Sequence, residues 1–208
     1  KVGVTMFFSE NLNNGFLSRE QLKVLKDPRV IWAASATLTE RTHLPLLSND
    51  IKTNIGTHDL LRDEDGLIRR FVPARTEIPH LAEKLTDTVI DPLPNRFINY
   101  RGTKSQFARY SARDVLDGRI PDNMLTNKII LIGSEATASS QFLTPLGSSE
   151  RHEVIAQIVD NIIEKRWIHR FHNQFYTIGL FFLMLISVFA MTSYPQSVAL
   201  VVMAWMAT

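Results

Sequence analysis

Glu153 to Phe171 reads EVIAQIVDNIIEKRWIHRF, and four residues later Phe175 to Tyr194 reads FYTIGLFFLMLISVFAMTSY. In the first stretch Val154, Ile155, Ile158, Val159, Ile162, Ile163, Trp167, Ile168 and Phe171 recur every three to four residues. That spacing predicts one apolar face of a helix, with Glu153, Gln157, Asp160, Asn161, Glu164 and Lys165 on the polar face. The second stretch is apolar on every side and long enough, at ~1.5 Å per residue, to cross about 30 Å of hydrocarbon. No Pro or charge separates the two, so the sequence predicts a helix continuing from a folded domain into a membrane. A second reading ends one helix near Arg170 and starts another.

Composition divides the chain at the same place. All 23 Lys and Arg and all 21 Asp and Glu of the 208 residues lie at or before Arg170. The mean hydropathy of −0.03 therefore averages a polar globular part and an apolar one. A net charge of +2 without a long basic run argues against a nucleic-acid surface. About 170 residues suffice for one domain with its own core. The absence of Cys removes disulfide frameworks and thiolate metal sites. Lys1 leads directly into VGVTMFF, which reads as a buried strand with neighbours to pair with. The expectation is a piece of a longer protein.

Along the chain, Val2–Phe8 is predicted as a strand, and Ser18-Arg19-Glu20-Gln21 as a capping box opening a short helix through Leu22 and Leu25. Val30–Ser35 is a second strand, and strand–helix–strand predicts a parallel crossover. Leu38–Asn54 reads as irregular. Asp63–Gly66 is a tight acidic turn followed by a strand over Leu67–Ala74. Thr76–Thr88 is a helix with Pro79 in its first turn, Arg96–Arg101 a strand, and Ser111–Leu116 a short helix. Lys128–Gly133 (KIILIG) is an unbroken apolar run, predicted to be a central strand buried on both faces. Ser134–Glu150 reads as a polar loop. The fold class predicted is α/β, a mixed, mostly parallel sheet flanked by helices and followed by transmembrane helices. The domains are 1–170, a transmembrane helix over 175–194, and the start of a second over 196–208.

FINYRG (97–102), SARDVLDGRIPDNMLTNKIILIG (111–133), FLTPL (142–146) and EVIAQIVDNII (153–163) occur in that order. This series resembles the CHASE type-two family, the extracytoplasmic sensory domain of bacterial membrane receptors. DEDGLIRR (63–70) resembles that family's turn, and VGVTMFF its mid-domain strand. The chain departs from the family pattern at Thr5 and Gln141, where Asp is frequent. It departs again at Glu150–Ala156, where the family tends to read Pro-Gly-Val-Glu-Val-His-Ala. The resemblance implies a sensor, not an enzyme, with residues 1–170 on the extracytoplasmic side of a bacterial inner membrane. It implies that the long helix passes a signal to a cytoplasmic cyclase or kinase outside these residues. The implied partners are the lipid bilayer, a small molecule or physical signal, and a second copy in a homodimeric receptor. No cofactor is expected. The alternative is a membrane-anchored structural or interaction module that does not sense. Positive-inside bias, with Lys165, Arg166 and Arg170 before the first span, taken alone favours the opposite orientation.

Catalytic constellations are not legible. Ser134 lacks a Gly-x-Ser-x-Gly setting, and no phosphate-cradling Gly motif occurs. Asp63, Asp65 and Gly66 lack the spaced oxygen ligands of a calcium loop. His169 and His172, three apart, want a third donor to hold a metal and suit a membrane–water interface better. Candidate ligand-contacting residues are Asn99 and Arg101 at a strand end, with Ser134, Gln141 and Thr144 near the loop that precedes the long helix. Arg101 also reads as a partner for a surface carboxylate.

Overall fold

The computed structural model describes residues 1–6, 26–36, 42–43, 54–73, 78–91, 96–102, 107–134, 141–169 and 173–193, with positions 18, 20, 23 and 24. The helix expected after Ser18, the irregular stretch 38–53, and the second apolar segment from 196 lie wholly or largely outside them. The chain forms two compact units, Lys1–His169 and Arg170–Thr208.

In the first unit four strands form a parallel sheet in the order β4 (Ile55–Thr57), β2 (Val30–Ala36), β1 (Val2–Val4), β6 (Ile130–Ile132). Trp32 registers with Val4 on one side and with Ile55 on the other, which places β2 between them. A two-residue β3 (Thr42–His43) adds to β2 antiparallel. Helices α1 (Leu81–Thr86) and α4 (Arg151–Glu164) cover one face, where Ile31, Leu81, Leu85, Val154, Ile155 and Ile158 form the main core. The opposite face carries a smaller cluster of Val4, Trp32, Ala34 and Ile55. Ile31 and Trp32 point into different clusters because adjacent strand residues alternate faces. Helix α1 packs so closely on β4 that a Cβ on Gly56 would come within 2.7 Å of the Leu81 Cα. Two short helices, α2 (Ala112–Leu116) and α3 (Asp122–Leu125), bury none of their residues.

Several expectations are corrected. KIILIG does form a strand, but β6 pairs only with β1 among the described residues and is half-exposed, with Ile132 38% exposed. A run rich in β-branched Ile favours a strand; how many neighbours it gains is decided elsewhere in the chain. The predicted polar loop 134–150 contains a hairpin, β7 (Gln141–Thr144) and β8 (Gly147–Glu150), whose alternating burial puts Phe142 and Thr144 inward. Residues 67–73 form no strand and touch others through single bridges, Leu67 with Leu143 and Arg70 with Phe97. The strand expected over 96–101 shortens to β5, Arg96–Phe97.

The largest correction concerns the long helix. It stops at Glu164, with Lys165 in the left-handed region at φ 53° and its N–H donating to the Asn161 carbonyl. Ile168–His169 (β9) then pairs antiparallel with β5. No continuous helix joins the sheet to the apolar segment. Pairing of β9 and seating of Trp167 against Phe71 replace the helical bonds that Lys165 onward gives up.

In the second unit Asn173–Ser193 forms one 21-residue helix, α5. Its described side chains, among them Leu180, Phe181, Phe182, Met184 and Phe189, are largely exposed. Among the described residues, no helix is long and apolar enough to cross a membrane. The transmembrane helix expected over 175–194 is therefore matched by a helix and not, on those residues, by a span.

Candidate functional site

The chain leaves β1 for β2 and then β4, all in one direction, while β6 lies on the other flank of β1. The connections reverse between β1 and β6. In open parallel sheets such a reversal leaves a crevice beyond the carboxyl ends of the strands, where ligands bind. Here the crevice residues are Thr5, Gly133 and Ser134. The Thr5 N–H and hydroxyl both donate to the Ile132 carbonyl, each at 2.9 Å. His152, from the first turn of α4, lies across the end of β6. A Cβ on Gly133 would meet its Nδ1 at 2.3 Å, so only Gly admits the imidazole there. His152 Nδ1 is 3.5 Å from Glu150 Oε2. Glu150 and Glu153 form a capping box at this helix start, and Glu153 also pairs with Arg109 at 3.3 Å. The positive end of α4 is thus already met by its own carboxylates.

At the same end of the sheet, beyond β2, the carboxyl end of β4 carries a buried polar cluster. The Arg151 guanidinium donates to the His58 carbonyl at 3.2 Å and lies over the Phe142 ring, which Arg62 also covers. Burial and the neighbouring Arg151 charge push the His58 imidazole down to about 3. His80 caps α1: its Nδ1 accepts from the Ala82 N–H at 3.1 Å, and its backbone N–H donates to Glu83 Oε2 at 2.9 Å. An accepting Nδ1 leaves the proton of the neutral ring on Nε2. Burial lowers its pKa to about 4. Both histidines are neutral at pH 7.

The structure sets the candidate residues in three places. Asn99 and Arg101 lie along α4: the Asn99 N–H donates to Asn161 Oδ1 at 3.0 Å, and the Arg101 N–H to Gln157 Oε1 at 3.0 Å. The Arg101 side chain pairs with Asp160 at 2.9 Å. Gln141 accepts from the Ser148 hydroxyl at 2.8 Å, and buried Thr144 donates to the Gly147 carbonyl at 2.7 Å, both within the β7–β8 hairpin. Ser134 stands exposed at the β1–β6 crevice. Of the five, Ser134 alone borders the crevice, because the hairpin engages Gln141 and Thr144 internally.

Sequence reasoning missed His58, His80 and Arg151, and it placed Gln157 and Asn161 on the solvent side. Both are buried, and they bond to the backbone of residues 99–101. Their i, i+4 spacing between Val154 and Ile162 was the available signal. The acidic turn is a turn: Gly66 has φ 81°, its N–H donates to the Asp63 carbonyl at 2.8 Å, and Arg69 and Arg70 occupy Asp63 and Asp65. Among the described residues, no group of His, Asp and Glu could hold a metal ion. His169 is exposed in β9, and His172 lies outside the described residues.

Comparison with known proteins yields one assignment: the model of the CHASE2 domain matches residues 1–191. Neither a curated protein nor a solved structure matches the chain.

Proposed function

The chain belongs to the CHASE2 domain family, and from that premise we propose that it is the extracytoplasmic input module of a bacterial transmembrane signalling receptor. CHASE2 domains are sensory, form extracytoplasmic parts of membrane receptors, and have no catalytic role of their own. The observation that carries the reading is the extent of the match, which runs through the α/β unit and nearly all of α5. In this reading α5 anchors the module in the bilayer. Its exposed Leu, Phe and Met side chains suit hydrocarbon better than water. In this reading two copies pair in the receptor.

The stimulus acts at the carboxyl edge of the sheet, where Thr5, Gly133 and His152 meet. Helix α4 starts there, and its Gln157, Asp160 and Asn161 hold residues 99–101. Those residues continue β5, β5 pairs with β9, and β9 leads within four residues to α5. The route to the membrane thus runs through a two-strand ribbon and not along one rigid helix. A cytoplasmic cyclase or kinase would read it.

Fusions after Pro195 test the anchor and the orientation. Alkaline phosphatase placed there should be inactive and β-galactosidase active. Active alkaline phosphatase at that position overturns the reading.

A further inference from the structure

His80 touches Phe71 edge-on, with ring centroids 4.8 Å apart and planes at 72°. Phe71 stacks on Trp167, at 5.8 Å and 13°. Trp167 immediately precedes β9, and the Arg96 guanidinium of β5 lies 5.8 Å from its ring centroid. Two aromatic rings, Phe71 and Trp167, therefore join the cap of α1 to the ribbon that leads to α5. We propose that His80 is a proton-responsive element of the sensor, its protonation being passed through Phe71 and Trp167 to β9. This rests on the sensor reading above and adds to it an input separate from the β1–β6 crevice.

The geometry supplies the switch. A second proton on His80 must go to Nδ1, which already faces the Ala82 N–H at 3.1 Å. Two donors cannot share that contact, so the cap of α1 is lost. The new cation would sit in a site that is 1% exposed, against Leu81, Ala82 and Phe71. The ring must turn or leave, and Phe71 loses the edge it packs on.

The charges around His80 set the threshold. Asp59, after β4, favours the proton. Glu83 in α1 accepts the backbone N–H groups of His80 and Ile90. A cation on His80 disfavours one on His58, whose carbonyl accepts from the Arg151 guanidinium of α4. In segment 68–73, Arg69 and Arg70 are engaged by Asp63 and Asp65. The balance places the response on the acid side of an ordinary histidine.

The test uses the whole chain in lipid nanodiscs, with 15N-labelled His and Trp, titrated from pH 7 to 3.5. Trp167→Phe assigns the Trp167 indole signal apart from Trp32 and Trp205. The expected result is a Trp167 shift with the His80 midpoint, near pH 4, while the far-UV signal holds. His80→Asn keeps an accepting cap atom and removes the proton site, and should abolish the Trp167 shift. Phe71→Leu should leave His80 titrating and Trp167 silent, and decides alone if His80→Asn does not fold. The proposal is overturned by a Trp167 shift that survives either variant. It is equally overturned if Trp167 responds only together with loss of far-UV signal, or not at all while His80 titrates. Such a failure removes the proton as input and leaves the sensor reading to the fusion test.

Discussion

Asn161 closes a two-point ring with the backbone of Asn99: its Oδ1 accepts the Asn99 N–H at 3.0 Å and its Nδ2 donates to the Asn99 carbonyl at 3.1 Å. The amide thereby gives Asn99 the pairing a neighbouring strand would give. Nδ2 also reaches the Gln157 carbonyl at 2.7 Å. Asn161→Leu has nearly the same size but leaves Asn99 unpaired beneath a helix. We expect a loss of about 2–4 kcal/mol in urea unfolding, since each buried group left unpaired costs roughly 1–3 kcal/mol. A loss below 0.5 kcal/mol would mean that water replaces the amide.

Gly56 and Gly133 both sit where a side chain does not fit, but against different neighbours. The obstacle at Gly56 is the Leu81 backbone, its Cα at 2.7 Å and N at 2.9 Å; at Gly133 it is the His152 imidazole. A side chain yields more readily than a helix backbone. Gly56→Ala should therefore destabilise more than Gly133→Ala, whose cost lies near the roughly 1–3 kcal/mol of overpacking. Gly179→Ala, with nothing within 4 Å, should leave the fold unchanged. Thermal unfolding of the three variants gives the order.

His58 and His80 make stability fall with acid. Their folded pKa values, about 3 and about 4, lie below the ordinary 6.5. The unfolded chain therefore binds more protons across that interval, and stability rises with pH through it. The contribution is fully present above pH 6.5 and is lost as pH falls through 4 and then 3. For His80 it is on the order of 3 kcal/mol. His80→Asn should flatten the slope between pH 6 and 4 in denaturant midpoints; an unchanged slope would show that His80 is not buried neutral.

Lys165 is an exposed residue held at φ 53°, where Gly is favoured. Lys165→Gly should stabilise the first unit by about 0.5–1 kcal/mol. The sign is diagnostic. Were α4 to continue unbroken toward Asn173, Gly at this position would destabilise by a similar amount.

The sequence by itself determined the classes of element. The three-to-four spacing of Val154, Ile158 and Ile162 sufficed for α4, the run 129–132 for a strand, and the uncharged tail after Arg170 for an apolar helix. The ordered motifs from FINYRG to EVIAQIVDNII sufficed for the family. These are local or near-local properties, set by side-chain periodicity and charge.

Only the tertiary structure decided the rest. Among the described residues it gave β6 the single neighbour β1, because a strand's neighbours can lie more than a hundred residues away in the chain. It ended α4 at Glu164, because pairing of Ile168–His169 with Arg96–Phe97 and the Phe71–Trp167 stack compete with continued helix. It buried His58, His80 and Asn161, whose polar atoms look solvent-facing until partners such as the Ala82 N–H and the Asn99 backbone come into reach. A polar residue's cost or value in a core depends on a partner brought by folding, and no window of sequence contains both.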